Sequence, residues 1–234
     1  MKRCVVLLSG GLDSATTLYI AKHAGFKCYC LIFDYGQRHH RELDAAKRIV
    51  CEAGCKFCLL KINLPWKGSS LLDKNIPVLQ PANRQTGKPA NIPSTYVPGR
   101  NIIFLSFALS FAEAIKAKAI FIGAHAQDYS GYPDCRPEFY RAFSKVISTG
   151  TKAGVDKKKI EIKTPLINKT KAQIIKLGMR LGVPFELTWS CYKGGKRPCG
   201  ECDSCYFRQK GFIEVGKTDP LSRKTPSRLW RDPP

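Results

Sequence analysis

The chain has 234 residues, of which 44% are hydrophobic, 10% aromatic and 24% charged, and this length fits one large domain or one domain with an appendage. The composition excludes a disordered or collagen-like chain, and the sequence contains no run of 18 apolar residues that would predict a transmembrane helix. Lys and Arg number 39 against 18 Asp and Glu, a net charge of +21, which favours an anionic partner, although a solvated basic surface explains the charge equally well.

The N-terminus and the cysteines both bear on the cellular compartment. Residues 1–10 contain too short an apolar stretch for a signal peptide, so we expect a cytoplasmic protein. The 11 cysteines are an odd number, which excludes a complete set of disulfides within one chain. Seven of them lie scattered, mostly in apolar runs, and are expected to be small buried hydrophobic residues: Cys4, Cys28, Cys30, Cys51, Cys55, Cys58 and Cys135.

Strand-like and helix-like segments alternate along the chain. Short apolar runs predict strands at 3–8, 27–33, 55–62, 119–124 and 159–164. Helical spacing of apolar residues predicts helices at 12–24, 39–53, 100–117, 137–149 and 169–182, and the third of these is apolar enough for a buried position. A long, proline-containing irregular stretch between 63 and 100 is typical of a lid or binding segment. The alternation favours a doubly wound, mainly parallel α/β sheet, which binds ligands beyond the carboxyl ends of its strands.

The first predicted strand leads directly into Ser9-Gly10-Gly11-Leu12-Asp13-Ser14 at the start of a helix. The glycines let the backbone approach an anion, the helix N-terminus attracts it, and the two serine hydroxyls can donate to phosphate oxygens. Asp13 is expected to contact magnesium among the phosphates, or else it is a first-turn carboxylate favoured by the helix dipole. The motif is neither a Walker A loop nor a G-x-G-x-x-G fingerprint. It resembles the PP-loop of the N-type ATP pyrophosphatases, which cleave ATP between its α and β phosphates; a purely structural glycine turn is the alternative.

Four further cysteines lie together in a turn-rich segment that leads to a helix: Cys191, Cys199, Cys202 and Cys205. Four thiolates with C-x-x-C spacing suit a tetrahedral metal, so we predict a closed, structural zinc site. Basic neighbours would offset its negative charge: Lys193, Lys196, Arg197 and Arg208. An iron–sulfur cluster and a redox-active C-x-x-C pair are the alternatives.

With these motifs placed, the chain resembles the 7-cyano-7-deazaguanine synthases, ATP-dependent enzymes of the queuosine precursor pathway. The matching segments run in order through nearly all of residues 4–215: SGGLDS (9–14), DYGQRHHRELDAA (34–46), YVPGRN (96–101), DYSGYPDCR (128–136), TPLINKTKAQII (164–175) and SCYKGGKRPCGECDSCYFRQKGF (190–212). Gly99 departs from the family pattern, in which alanine is common, and Ala126-Gln127 replace a small apolar pair. The resemblance implies a sheet like that of the adenine nucleotide alpha hydrolases, with an ATP-binding domain at 1–185, a zinc-binding segment with a helix at 186–218 and a tail at 219–234.

The resemblance also implies a reaction and its participants. Ammonia and 7-carboxy-7-deazaguanine would become 7-cyano-7-deazaguanine through adenylation of the carboxylate and then of the amide. Asp13, Ser14 and Arg100 would be catalytic, with the Arg100 fork clamping a phosphate or carboxylate; a surface charge is the alternative for Arg100. ATP would contact Leu8, Ser9, Gly10, Gly11, Leu12, Asp13, Ser14, Ala15, Thr16, Thr17 and Leu18. The expected cofactors are structural zinc and magnesium with ATP, and the expected assembly is a homodimer without membrane or required nucleic-acid contacts.

Residues 128–136, after the fourth predicted strand, carry groups suited to a guanine-like base. Asp128 or Asp134 could accept hydrogen bonds from the base, Tyr129 or Tyr132 could stack on it, and Arg136 could hold its carboxylate. Each of these could instead be an ordinary loop residue. Elsewhere, Lys163 and Lys169 are weaker candidates for a second phosphate site, and His125 is more typical of a satisfied buried histidine than of an acid–base group.

Other functions stay open at this level. A PP-loop enzyme that adenylates a tRNA base and installs sulfur there would explain the charge, yet here the paired cysteines are assigned to metal and no RNA-binding domain precedes the loop. A non-enzymatic zinc-ribbon module for nucleic acid would leave SGGLDS without a purpose. A relative that modifies a protein or a DNA base is also consistent with the motifs.

Overall fold

Five parallel strands form one sheet in the computed structural model, which describes residues 1–38, 40–78, 92–125 and 132–222. The strands are β1 (Arg3–Leu7), β2 (Lys27–Asp34), β3 (Lys56–Lys61), β4 (Ala119–Phe121) and β5 (Glu161–Lys163). Their order across the sheet is β3-β2-β1-β4-β5. Because the chain reverses its direction of winding between β1 and β4, the carboxyl ends of these strands border a crevice of the kind that binds ligands in α/β proteins.

Helices cover both faces of this sheet. They are α1 (Leu12–His23), α2 (Arg41–Glu52), α3 (Arg100–Ala114), α4 (Pro137–Gly150), α5 (Lys152–Val155), α6 (Lys171–Arg180) and α7 (Asp203–Glu214). Alternate residues of β1 enter two separate apolar clusters: Val6 packs with residues of α1, α2, α6 and α7, whereas Val5 packs with residues of α3 and α4. The doubly wound parallel sheet predicted from the sequence is therefore confirmed.

Helix α3 differs from its prediction. Its apolar sequence suggested a buried position, but only one side of it, with Leu105 and Ala108, packs on the sheet. On other sides of the helix, Ile102 is 47% exposed and Phe107 is 40% exposed. A helix in the outer layer of a sheet buries one stripe only, so the overall apolar content of α3 overstated its burial.

The chain after α6 packs back onto the core. Phe212 of α7 is 1% exposed, and its ring meets that of Phe185 edge to face at 5.6 Å. Before α3, the described parts of the predicted irregular stretch, 63–78 and 92–99, contain no helix or strand. Within the described ranges, no helix has both the length and the apolar character needed to span a bilayer.

Candidate active site

The loop between β1 and α1 is a tight turn held by serine hydroxyls. Ser9 Oγ donates to Ser14 Oγ at 3.0 Å, and Ser14 Oγ donates to the Gly11 carbonyl at 3.1 Å. Gly10 has a φ of +87°, and a Cβ there would lie 2.3 Å from the carbonyl oxygen of Glu42, so the position requires glycine. No side chain caps the start of α1, which leaves its N–H groups and positive dipole end available to an anion.

A cavity of about 250 Å³ lies beside this loop, at the crevice between β1 and β4. The loop and the start of α1 contribute Leu8, Ser9, Gly11, Leu12, Asp13 and Ser14 to its wall. Other parts of the wall include Tyr35, Gln37 and Glu42 after β2, Arg100 and Asn101 at the start of α3, Gly123 after β4, and Tyr132, Trp189, Ser190 and Tyr192. Five other residues predicted to contact ATP are not part of the wall: Gly10 in the loop, and Ala15, Thr16, Thr17 and Leu18, which are 0% exposed within α1.

Asp13 is held by two residues that are distant in the sequence. Lys171, the first residue of α6, places its Nζ 2.8 Å from both carboxylate oxygens of Asp13. The Nε2 of His125 lies 3.4 Å from Asp13 Oδ2 and 3.0 Å from Lys171 Nζ. Burial would raise the pKa of the Asp13 carboxyl, but the attraction of Lys171 and His125 holds that pKa well below its usual range. Asp13 is therefore an ionised carboxylate at neutral pH.

Lys171 was not identified from the sequence as a site residue. None of Lys163, Lys169 and Lys171 lines the cavity. Lys171 contacts the wall residue Asp13, whereas Lys163 pairs with Glu161 at 2.8 Å. His125 is 3% exposed and partnered, which agrees with the expectation of a satisfied buried histidine. The available signal for Lys171 was its position at the start of a helix two residues after Lys169, in a segment that follows β5.

Arg100 and two neighbours form a charged part of the wall. The Arg100 guanidinium donates to the Tyr35 hydroxyl at 3.2 Å and lies 5.8 Å from the centre of that ring. Burial raises the pKa of Tyr35, so its hydroxyl stays neutral. Burial also raises the pKa of the Glu42 carboxyl to about 7, against the attraction of Arg100. A cation and a readily protonated carboxyl therefore share the cavity with the loop of residues 9–14.

The residues proposed to read the base are placed differently from one another. Tyr132 lines the cavity, and its hydroxyl pairs with that of Thr95. Asp134 is 5% exposed and accepts from the backbone N–H of Asn101 at 3.2 Å, which supports the start of α3. Arg136 is exposed before α4 and does not line the cavity. Asp128 and Tyr129 lie outside the described residues.

The four cysteines of the second motif converge as their spacing predicted. The Sγ atoms of Cys191, Cys199, Cys202 and Cys205 all lie within 4.8 Å of one another. Backbone N–H groups support the sulfurs: Cys199 donates to Cys191 Sγ at 3.3 Å, and Cys202 donates to Cys199 Sγ at 3.4 Å. This arrangement can hold one metal ion in an all-thiolate shell.

Two of the basic residues near this centre pair with carboxylates. Lys193 pairs with Glu201 at 2.6 Å. Arg208 is 4% exposed and forms a two-fold pair with Asp219, with Nε to Oδ2 at 2.7 Å and Nη2 to Oδ1 at 3.0 Å. The guanidinium of Arg208, which was expected to offset the charge of the thiolates, is engaged by the buried carboxylate of Asp219. A charge effect of Arg208 on the thiolates stays a prediction.

Comparisons with known proteins cover both sites. The family model described as Queuosine biosynthesis protein QueC matches residues 3–216. A relative named 7-cyano-7-deazaguanine synthase from Thermoplasma acidophilum is 48% identical over 231 residues, which are 99% of this chain and 96% of the relative. One of the same name from Acetivibrio thermocellus is 53% identical over 226 residues, 94% of this chain and 97% of the relative. The similarity thus extends through the loop of residues 9–14 and the four clustered cysteines.

Proposed function

Because the chain belongs to the QueC family of queuosine biosynthesis proteins, we propose that it is an ATP-dependent ligase that converts 7-carboxy-7-deazaguanine and ammonia to 7-cyano-7-deazaguanine. The observation that carries the proposal is the single cavity that joins the phosphate loop, Arg100 and Tyr132 at the β1 and β4 crevice. This arrangement places an anion-binding turn beside groups able to hold an acidic, planar substrate.

The triphosphate of ATP binds at the loop of residues 9–14. Backbone N–H groups at the start of α1 and the hydroxyls of Ser9 and Ser14 donate to its oxygens. Lys171 adds a positive charge at Asp13, 2.8 Å from its carboxylate. We assign phosphate contacts to the part of the predicted ATP-binding set that lines the cavity, and a supporting role in α1 to Ala15, Thr16, Thr17 and Leu18.

The reaction needs two activations. A carboxylate oxygen of the substrate attacks the α-phosphorus of ATP, and diphosphate leaves to give an acyl adenylate. Ammonia attacks the carbonyl carbon, AMP leaves with the oxygen, and loss of a proton gives the amide. The amide oxygen is adenylated by a second ATP, and departure of AMP and the remaining nitrogen-bound protons gives the nitrile. Arg100, a half-buried fork in the same wall, holds the reacting carboxylate or the phosphate beside it.

Magnesium fits the phosphate site. Asp13 offers ionised oxygen ligands, the type that this ion prefers, at the loop where the phosphates bind. When bound with ATP, the ion neutralises charge on the departing diphosphate. In the free protein, the negative Asp13 carboxylate and the positive Lys171 ammonium form an ion pair at this position.

Zinc fits the cysteine centre. Four thiolates in a shell without an open position suit a structural ion, and two N–H to sulfur hydrogen bonds stabilise the ligands. Residues 186–218 would then be a metal-stabilised extension of the ATP-binding domain, since α7 packs its Phe212 into the main core.

Tyr132 is the residue of the 128–136 segment that lies best for stacking on the deazapurine, because it faces the cavity. Asp134 acts by positioning Arg100 and Asn101, since its carboxylate supports the start of α3. We keep Asp128 and Tyr129 as candidates for reading the base. Arg136 is the weakest candidate of the set, given its exposure.

To test the proposal, metal-loaded protein is incubated with 7-carboxy-7-deazaguanine, ATP, magnesium and ammonium. The base and the nucleotides are then followed by mass spectrometry. Formation of the nitrile with two AMP per nitrile is the expected result. ATP cleavage without nitrile would contradict the proposed substrate and redirect the search to tRNA, DNA or protein acceptors.

We also propose that the protein is a cytoplasmic homodimer. Cell fractionation would test its location, and light scattering would test its oligomeric state.

A further inference from the structure

A lysine stands at the entrance of each of the five strands. Lys27 and Lys56 are the first residues of β2 and β3, Lys2 and Lys118 directly precede β1 and β4, and Lys159 lies two residues before β5. Because the strands are parallel, these positions meet at one edge of the sheet, which we call the amino-terminal edge. All five side chains are exposed. Neighbouring strands lie about 4.8 Å apart, so the lysines form a row about 19 Å wide.

Backbone hydrogen bonds fix the centre of this row. The N–H of Lys27 donates to the Lys2 carbonyl at 2.8 Å, and the N–H of Lys118 donates to the Arg3 carbonyl at 2.9 Å. The side chain of Arg3 has a structural partner, since its Nη1 donates to the carbonyl of Ile115 after α3 at 2.9 Å. The lysines beside it are therefore held next to one another by the sheet.

Most of the charges at the amino-terminal edge are unpaired. Lys158 pairs with Asp156 at 3.0 Å, and Lys159 pairs with Glu161 at 2.9 Å. Within the described ranges, no ion pair or hydrogen bond engages the ammonium groups of Lys2, Lys27, Lys56, Lys116, Lys118 and Lys157. Even with the exposed Glu52 at the end of α2, the edge keeps a clear surplus of positive charge.

Two of the unpaired lysines occupy backbone positions that favour glycine. Lys116 and Lys157 have φ of +56° and +54°, and in the described part of the chain they are the non-glycine residues with positive φ. The equivalent positions in the turns before β2 and β3 are Gly25 and Gly54, with φ of +78° and +62°. Lysine in this conformation bears strain that glycine avoids. A lysine that served only solubility could stand at any exposed position, so these two indicate a use for charge at this edge.

The row suits a phosphate backbone better than a protein or a membrane. Lysine ammonium groups bind phosphates as point charges, whereas protein interfaces are depleted in lysine. The phosphates of one strand of a duplex repeat about every 3.4 Å along its axis, so a row about 19 Å wide spans roughly five of them. A linear row of charges therefore matches a linear polyanion, while an anionic membrane presents a broad surface.

We propose that the amino-terminal edge binds the phosphodiester backbone of a nucleic acid without reading its sequence. The edge lies opposite the cavity: β2 alone extends from Lys27 to Asp34, about 23 Å at 3.3 Å per residue, and the cavity lies at the carboxyl ends of the strands. A bound nucleic acid leaves the cavity open to ATP, and its bases stay away from the loop of residues 9–14. The edge thus holds the protein on a nucleic acid and does not present a base for modification.

Fluorescence anisotropy with a labelled DNA duplex and a labelled hairpin RNA, over a series of salt concentrations, tests this inference independently of the proposed ligase activity. The logarithm of the binding constant for the duplex should fall linearly with the logarithm of the salt concentration. Lys27→Gln combined with Lys118→Gln should weaken binding of both probes. It should also reduce the slope for the duplex by about 2, since each phosphate contact contributes about 0.9. The probe that binds more tightly identifies which nucleic acid supplies the backbone.

The matched control combines Lys47→Gln with Lys176→Gln. It makes the same change in net charge at exposed positions of α2 and α6, and it should leave the slope unchanged. Saturating ATP should displace neither probe from the unaltered protein, because the cavity lies at the opposite end of the strands.

Lys116→Gly combined with Lys157→Gly separates binding from folding. Glycine adopts the positive φ of both positions without strain, so the free energy of unfolding in urea should not fall, while the slope for the duplex should again decrease by about 2. Absence of binding at low salt, an unchanged slope in both edge variants, or displacement of the probes by ATP would overturn the proposal. Tighter binding of phosphatidylserine vesicles or of polyglutamate than of either nucleic acid would overturn it as well, since the partner would then be a membrane or an acidic protein.

Discussion

The backbone N–H of Trp189 donates a 2.9 Å hydrogen bond to the carbonyl oxygen of Gly10, which ties the segment before the first metal-site cysteine to the phosphate loop. The indole N–H of Trp189 donates to the carbonyl of Cys191 at 3.0 Å. From the other side, Arg208 of α7 donates to the Thr188 hydroxyl at 2.7 Å. The cysteine centre therefore supports one wall of the cavity that contains the phosphate loop.

Removal of the metal ion that we propose at the four clustered cysteines should weaken ATP binding. Without the ion, the thiolates no longer fix Cys191, and Trp189 loses its support beside Gly10. We expect the dissociation constant for ATP to rise by about tenfold or more, equivalent to about 1.4 kcal/mol. Elemental analysis would measure the metal and titration calorimetry the affinity.

The control for metal removal is restoration of the ion to the same sample, which should recover the affinity. Cys202→Ser should behave like the chelated protein, whereas Cys51→Ser, on an exposed thiol of α2, should keep both metal and affinity. Metal-free protein that binds ATP as well as the loaded form would mean that Arg208 and its hydrogen bonds hold this wall alone.

Gly10→Ala should damage the loop far more than the comparable change at Gly25. Both residues have positive φ, +87° and +78°, but a Cβ at Gly10 would lie 2.3 Å from the Glu42 carbonyl oxygen, while nothing lies within 4 Å of one at Gly25. Gly25→Ala should cost about 1–2 kcal/mol from backbone strain alone. The clash adds to this at Gly10, for a total of about 2–5 kcal/mol. Urea unfolding would measure the free energy of unfolding of both variants. An equal loss of stability in Gly10→Ala and Gly25→Ala would argue against the clash.

The parts of the site that the sequence predicted are those made by neighbours in the chain. Ser9 to Ser14 form one turn, and Cys191 to Cys205 form one short segment, so residue type and spacing were sufficient. The partnership of Asp13 and Lys171 spans 158 positions. It depends on how α6 packs beside α1, which local patterns do not contain.

Burial of individual side chains was also difficult to predict. The apolar runs of β1, β2 and β4 were assigned correctly because both faces of a central parallel strand are covered. The contact between the Sγ atoms of Cys4 and Cys28 was missed because it depends on the pairing of two neighbouring strands. Strand order decides such contacts, and periodicity within one strand does not.

The stability of the protein should depend on the charge of Glu42. Its pKa is raised from 4.5 to about 7 by burial, so the folded state keeps a proton that the unfolded chain releases. Its contribution to stability is therefore complete below about pH 4.5 and is lost as the pH rises through about 7. Glu42→Gln should remove this decline from the free energy of unfolding measured between pH 5 and 8.

The control for Glu42 is Glu52→Gln, at the exposed last position of the same helix. This variant should retain the pH dependence of the unaltered protein, because its side chain is solvated in both states. If the difference in stability between Glu42→Gln and the unaltered protein were the same at every pH, the raised pKa of Glu42 would be contradicted.

Lys171→Met should reduce both stability and adenylation, because it removes the ammonium that contacts both oxygens of Asp13 at 2.8 Å. The pKa of Asp13 should then rise, and the partly buried carboxylate should cost about 1–3 kcal/mol of unfolding free energy at neutral pH. Lys176→Met, on an exposed position of α6, should stay within about 0.5 kcal/mol of the unaltered protein. Urea unfolding measures the first effect, and exchange of labelled diphosphate into ATP measures the second. This exchange requires adenylation but not ammonia. Loss of exchange in Lys171→Met but not in Lys176→Met would place Lys171 at the phosphates. Equal exchange in the two variants would leave Lys171 only a structural role.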